Sequence, residues 1–420
     1  MKLKALNGFK DILPADIALW MRVEATVRDI VSRFQFAEIR LPILEKTELF
    51  ARSIGEATDI VEKEMYSFVD KGVTMRPEAT AQIIRAYIEH GLYVQRPIQR
   101  IFTIGPMFRH ERPQKGRLRQ FHQVSAEVVG GDHPRVDAEV MAMAAMIFSE
   151  LGISVSLEMN TLGCRECRPA YREKLLAFLA ERMDNLCDDC KRRSTTNPLR
   201  VLDCKKPGCR AQVEDAPSII ESLCSGCSDH FTSVRESLEQ LGVDYQINKF
   251  MVRGLDYYCR TTFEFVTNDL GAQSAVCAGG RYDGLVEQLG GPKNIAGIGF
   301  GLGLERLVLL LQQKEEQEGR LQELDLFVAG LGDKAASLCY GLVNELRVAG
   351  LRVGMDHEGR SLKSQMKQAD KAGSAYVLIV GEDELAKGTG VLRNMATQQQ
   401  QDIDLGVAAI RQQLAGEEPN

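Results

Sequence analysis

The chain has 420 residues, 44% of them hydrophobic and 26% charged, with a net charge of −6 and an isoelectric point near 5.7. That length is too great for one core and predicts two or three domains. The acidic balance excludes a wholly basic nucleic-acid coat, though not a local basic surface, and no apolar run is long enough to span a membrane. The mixed opening Met1–Lys10 predicts no signal peptide, and hence a cytoplasmic protein. After a turn-rich stretch at 7–14, Leu19, Val23, Val27, Ile30 and Phe34 recur every three or four residues, which predicts a helix over Asp16–Phe34. Phe36–Leu44 is strand-like but interrupted by Pro42, so it belongs at an edge or a bulge: an ordinary edge strand, or the seam of a dimer.

Ile54–Val73 is polar and expected to be a mobile loop closing on Tyr66–Val69. A helix is expected at Glu78–His90, behind Pro77. Glu78 and Thr80 at its start are either capping residues or ligands for an amine. Two strand-like segments, Ile98–Met107 and Val124–Val129, flank the polar run Phe108–Glu127, which reads as a hairpin with a charged loop at Pro113–Leu118. Alternation puts Arg119, Phe121, Gln123, Ser125 and Glu127 on one face and His122, Val124, Ala126 and Val128 on the other. A face carrying Arg, Gln and Glu is either solvated or bound to something polar, because burying it bare is costly.

Helices are expected at Val136–Leu151, Arg172–Met183, Ala216–Leu223 and Asp229–Leu241, and strands at Ser154–Leu162, Asp244–Val252 and Thr261–Thr267. Ala275–Ala278 leads into a glycine turn, and Gly297–Arg306 opens into the helix Leu304–Gln313. Glycine at 297, 299, 301 and 303 lets a backbone or a flat ligand lie close to the strand. This is neither a Walker loop nor a dinucleotide fingerprint. After a charged linker at Lys314–Glu323, strands at Leu324–Ala329, Arg352–Met355 and Tyr376–Val380 alternate with helices at Lys334–Ala349 and Ser361–Ala372. That order predicts a parallel α/β domain, with Val391–Ala396 as a further strand and Gln398–Gln401 as the one low-complexity run.

Cysteines cluster. Cys164, Cys167, Cys187, Cys190, Cys204, Cys209, Cys224 and Cys227 form four close pairs in a polar helical module. In a reducing compartment such pairs suit zinc or iron–sulfur ligation better than disulfides. Structural zinc in one or two four-cysteine sites is expected, closed to substrate. Cys259, Cys277 and Cys339 read as core residues.

Five ordered blocks now become specific: TMRPEAT (74–80), FRHERPQKGRLRQFHQ (108–123), MVRGLDYY (251–258), AGGRYDGL (278–285) and GFGLGLER (299–306). Together they resemble the histidyl-tRNA synthetases, class IIa aminoacyl-tRNA synthetases, from the start to about residue 415. The resemblance implies an α+β catalytic domain (1–163 and 242–318) with an antiparallel sheet flanked by helices. It also implies an inserted helical cysteine-rich module (164–241) and a C-terminal anticodon-binding α/β domain (325–420). It implies a homodimer that joins histidine to its tRNA through a histidyl-adenylate, using ATP with Mg2+. By the same resemblance Arg109 and Arg253 are catalytic, and Arg109, Glu111, Arg117 and Arg306 bind ATP. Glu78, Thr80, Gln123, Glu127, Arg253, Tyr257, Tyr258 and Tyr282 bind histidine, with Glu127 accepting the imidazole N–H. The hairpin loop meets ATP and the tRNA acceptor end. Ala79, Leu118 and Gly301 depart from the usual pattern, as does the wealth of cysteine in the module. The rival expectation is a non-catalytic, histidine-binding regulatory paralogue that serves ATP phosphoribosyltransferase; such subunits generally lack the C-terminal domain and the motif arginines, both present here.

Overall fold

A proline at the first helical position opens α1 (Pro14–Arg33), and Leu19, Val23, Val27 and Ile30 are buried along it as their spacing requires. The computed structural model describes residues 3–55, 58, 60–270, 275–318 and 324–415. The chain divides into two units, Met1–Gln313 and Lys314–Asn420.

After α1 the chain forms β1 (Ala37–Glu38), α2 (Thr80–Glu89), β2 (Gln99–Phe108), β3 (Gln120–Val129), α3 (Pro134–Glu150), β4 (Ser156–Thr161), α4 (Cys167–Ala180), α5 (Ser225–Gln240), β5 (Gln246–Ile247), β6 (Cys259–Val266), β7 (Ala275–Arg281), β8 (Gly297–Gly303) and α6 (Leu304–Glu318). The strands make one sheet in the order β1-β2-β3-β8-β7-β6-β4-β5. Its inner pairs are antiparallel, and only the outermost, β1 with β2 and β4 with β5, are parallel. Val124, Ala126 and Val128 of β3 join Phe300 and Leu302 of β8 and Phe263 of β6 in a core shared with α1, α3 and α5. Full burial of each large apolar side chain contributes roughly 1.5–3 kcal/mol. The helices thus cover one face of the sheet, and alternation leaves Gln123 and Ser125 on the other.

A buried polar knot ties this framework together. Asp137 of α3 accepts hydrogen bonds from Arg281 of β7 (2.5 Å) and Thr261 of β6 (2.6 Å), and pairs with His230 of α5 (2.9 Å). Arg281 and Asp137 are fully buried, so removing either would strand a charge.

Several segments differ from expectation. The strand at Phe36–Leu44 shrinks to the two residues of β1: the Ile39 amide still reaches Phe102, and Pro42, which has no N–H, follows in irregular chain. The described part of 54–73 is folded, with a π-helical turn at Ile60–Glu64 and a short strand, Ser67–Phe68, paired to Val73–Met75; residues 56, 57 and 59 lie outside the described residues. Asp244–Val252 keeps only β5, because Asn248 turns the chain by accepting from the Phe250 amide (3.1 Å). In the module Ala216–Leu223 is a 3-10 turn at Ile219–Ser222, and two short helices, Asp188–Thr196 and Pro207–Val213, carry Cys190 and Cys209 in their first turns.

The second unit contains β9 (Leu324–Gly330), α7 (Asp333–Val348), β10 (Val353–Met355), α8 (Leu362–Lys371), β11 (Ser374–Val380), β12 (Thr389–Asn394) and β13 (Gln400–Asp404), in sheet order β10-β9-β11-β12-β13. β9 runs parallel to β10 and β11, as the alternation of strands and helices predicts. β12 and β13 are antiparallel, and Gln400 and Gln401 of the glutamine run lie in β13. The expected linker Lys314–Glu323 is helical to Glu318, and residues 319–323 lie outside the described residues. Among the described residues no helix is long and apolar enough to cross a membrane.

Candidate active site

A cavity of about 1100 Å³ opens on the sheet face away from the helices. Gln123 and Ser125 of β3 and Gly301 and Gly303 of β8 line it. The glycines were expected to admit a backbone or a flat ligand; at three of them the close neighbour is a side chain, the Tyr282 ring in the case of Gly297. Gly299 lies directly across from Glu127, and a Cβ there would overlap the Glu127 carboxylate and the Ala126 carbonyl. A Cβ at Gly301 would overlap the Gln123 amide. Glycine on β8 is thus what lets the long polar side chains of β3 lie flat on the sheet.

Glu78, just before α2, accepts from the Thr80 amide (2.6 Å) and the Ala81 amide (3.0 Å). It therefore caps the helix, and it also lines the cavity. Thr80 turns its hydroxyl to Glu127 (2.6 Å), and the Tyr282 hydroxyl reaches the other Glu127 oxygen (2.7 Å). Glu127 is 1% exposed, and burial drives its carboxyl up to about 8 against the two hydroxyl bonds that favour ionisation. Glu127 and Tyr282 lie beneath the wall and are not among the residues lining the cavity; Tyr257 and Tyr258 do line it. The Tyr257 ring stands 4.6 Å from Tyr258 and 5.9 Å from Tyr282.

Five arginines line the same space, four of them from the expected blocks. Arg109 donates to the Pro77 carbonyl (2.8 Å) and lies 5.3 Å over the Phe121 ring. Arg117 pairs with Glu111. Arg306, in the first turn of α6, donates to the Gly116 carbonyl (3.3 Å) and to that of Ala275. Arg253 pairs with Glu264 and lies 5.3 Å over the Tyr258 ring. Burial pulls Arg109, Arg117 and Arg306 below the usual arginine value; neighbouring cations add to it, and the nearby acids Glu64, Glu78 and Glu264 offset it only in part. Burial is the largest single influence on Arg253 and opposes its charge, but Glu264, Tyr258 and Tyr257 together outweigh it and raise the group. Two buried polar atoms of this wall, Gln123 Oε1 and Arg253 Nε, have no protein partner. Such atoms call for a ligand that supplies a donor to one and an acceptor to the other.

The cysteine pairs nest. Cys164, Cys167, Cys224 and Cys227 form one group and Cys187, Cys190, Cys204 and Cys209 another, with the sulfurs of each group within 4.8 Å of one another. The first pair therefore meets the fourth and the second meets the third. Sulfurs around a tetrahedral zinc lie about 3.8 Å apart; Cys164 is 3.6 Å from Cys167 and 3.8 Å from Cys224. Backbone N–H groups point at the sulfurs, Cys224 to Cys167 and Cys187 to Cys209, both at 3.2 Å. The donor set fits a closed four-thiolate metal site.

Sequence comparison matches residues 8–307 to the histidyl-tRNA synthetase family model and residues 325–409 to the anticodon binding domain. A histidine–tRNA ligase of Desulfotalea psychrophila is 65% identical over 415 residues, covering 99% of this chain and 96% of its own length. One from Geobacter metallireducens is 56% identical, covering 97% and 99%. The chain belongs to the histidyl-tRNA synthetase family. The apo crystal structure of the Staphylococcus aureus histidyl-tRNA synthetase superposes with a TM-score of 0.77 at 35% identity, covering 96% of this chain and 98% of that one. The class II synthetase fold thus stands, with its antiparallel catalytic sheet and C-terminal α/β domain.

All five synthetase blocks reach the cavity, through Glu78 and Thr80, Arg109 to Gln123, Arg253 to Tyr258, Ala278, and Gly301 to Arg306. Of the three departures from the synthetase pattern, Leu118 and Gly301 line the cavity and Ala79 is buried beside it. Sequence reasoning missed Glu264, although a lone acid within the apolar strand β6 was a usable signal. It also missed Asp203, Lys205 and Arg210, which bring the cysteine-rich module into the cavity wall; nothing local to those residues marks them.

Proposed function

We propose that this chain condenses histidine with ATP to histidyl-adenylate and pyrophosphate, then passes the histidyl group to the 3′ end of its tRNA. Sequence relatives carrying this activity over their full length support the reading, and the four arginines around two unpartnered buried polar atoms carry it in the structure. The histidine carboxylate attacks the α-phosphorus of ATP, which enters with Mg2+, and the bond to the β-phosphate oxygen breaks. Charge grows on the equatorial oxygens, so catalysis is positioning and electrostatic stabilisation. Arg109 holds the α-phosphate, Arg253 faces it beside the substrate carboxylate, and Arg306 takes the γ-phosphate. Glu111 and Arg117 complete the ATP site. Planar guanidinium forks suit oxyanions because each can give two parallel hydrogen bonds.

Glu78, Thr80 and Gln123 receive the histidine ammonium. Glu127 accepts the imidazole N–H through lone pairs that Thr80 and Tyr282 leave free, and Tyr258 serves the other ring nitrogen beside Tyr257. Apolar amino acids would leave these groups unpaired, so the pocket rejects them without an editing site.

Residues 1–163 and 242–318 form the catalytic part, 164–241 the insert, and 325–420 the part that binds the anticodon. The enzyme acts in the cytoplasm as a homodimer, with the edge at Pro42 as its seam. Each thiolate group holds one structural zinc; the sulfur geometry and N–H···S bonds support this. Histidine-dependent exchange of pyrophosphate into ATP tests the central reading. Histidine binding without exchange would favour a regulatory paralogue, a reading disfavoured by the arginines and the C-terminal domain.

A further inference from the structure

We infer that the first thiolate group is a positioning device for the histidine pocket: zinc held by Cys164, Cys167, Cys224 and Cys227 sets Arg168, and Arg168 sets the turn that carries Tyr257 and Tyr258. The inference rests on the zinc reading above and deepens it.

The connection can be followed bond by bond. Cys167 begins α4, and Arg168 is the next residue. The Arg168 amide donates to the Cys164 carbonyl (3.2 Å), closing the turn between the first two thiols. Its guanidinium donates to the Leu162 carbonyl (3.1 Å) and to the Tyr258 carbonyl. Beside it, the Leu162 amide donates to the Arg260 carbonyl (2.7 Å), and the Arg260 amide donates back to the Gly163 carbonyl (2.9 Å). The stretch from Leu162 to Arg168 therefore holds the chain at both Tyr258 and Arg260.

Two backbone conformations mark this grip. Arg260 has φ +47°, a left-handed conformation that a long side chain adopts only when its surroundings impose it. Gly163 has φ +62°, and a Cβ there would press on Cys167. Beyond the grip, Tyr257 and Tyr258 line the cavity and Arg253 lies over the Tyr258 ring.

The insert opens at Cys164 and Cys167, and Cys224 and Cys227 stand at the start of its last helix, α5, whose Phe231 and Val234 pack into the catalytic core, so these four sulfurs clasp the stretch between them to that core. A zinc bound there fixes the turn from which Arg168 projects. Without it, four thiols lacking a common ligand hold neither the turn nor the clasp.

The test measures zinc and kinetics on full-length protein purified without chelator. Wild-type protein is expected to hold about two zinc per chain, and Cys227→Ser about one. In pyrophosphate exchange, Cys227→Ser should raise KM for histidine at least about tenfold, as supporting-shell changes at metal sites do, while KM for ATP moves much less. Arg168→Ala should keep both zincs and show the same split, and Arg168→Lys should restore part of the loss. An unchanged KM for histidine in Arg168→Ala overturns the positioning role, even if Cys227→Ser does not fold. So does a Cys227→Ser protein that has lost one zinc at no cost to KM. Wild-type protein with less than about a tenth of an equivalent of zinc overturns the metal reading itself, before any variant is assayed.

Discussion

At the scale of single residues the site sets four cations against buried acids whose charge is contested. Arg253 is the cation most enclosed by its own partners, Glu264 on one side and the Tyr258 ring on the other, with Nε still unpartnered. A transition-state arginine is worth roughly 10³–10⁵ in rate in phosphoryl transfer. Arg253→Ala should therefore fold normally and slow pyrophosphate exchange at least about 100-fold, a cautious floor below that range; near-normal exchange would remove Arg253 from the mechanism. Glu127 makes a prediction about pH. Burial lifts its carboxyl from the ordinary 4.5 to about 8, so between those values the folded chain holds a proton that the unfolded chain gives up. Stability from this group is complete at low pH and is lost as pH rises toward about 8. Glu127→Gln cannot ionise, so its melting temperature should gain on that of wild type between about pH 5 and pH 9. A gap that stays constant across that range would mean that Glu127 is charged throughout.

At the scale of elements, β3 and β8 form the working unit. The period-2 pattern of β3 was legible from the sequence: Val124, Ala126 and Val128 are core, and Gln123 and Ser125 face the cavity. The purpose of the β8 glycines was not, because it depends on which strand lies alongside. Only the register, with Gly299 across from Glu127, shows that glycine there makes room for a carboxylate. The cysteine pairs teach the same lesson: their spacing marked thiolate sites, but the nested partnership is a property of the folded module. Short strands were overread where a local turn intervened, as at Asn248. The glycines also separate two kinds of defect. Gly299→Ala forces a Cβ against backbone as well as carboxylate and should destabilise the enzyme by about 1–3 kcal/mol. Gly301→Ala meets only the end of the flexible Gln123 side chain, so it should leave the unfolding midpoint nearly unchanged and raise KM for histidine instead. Equal stability losses in urea titrations of the two variants would contradict this account.

At the scale of the molecule, the two half-reactions face different electrostatic conditions. Adenylation takes place against arginines that are largely buried, where dissolved salt screens weakly. Transfer requires a large polyanion to settle on a chain whose net charge is −6, so attraction must come from local basic surface, and each phosphate neutralised releases a counterion. Such contacts weaken steeply with ionic strength; six to ten of them on duplex DNA lose about 10³–10⁵ in affinity between roughly 50 and 200 mM salt. Across about that range, tRNA charging at limiting tRNA should fall at least about tenfold, while histidine-dependent pyrophosphate exchange changes by less than about threefold. Parallel losses in both assays would place the salt-sensitive step in the catalytic cavity and would contradict the separation of a buried adenylation site from an exposed tRNA surface.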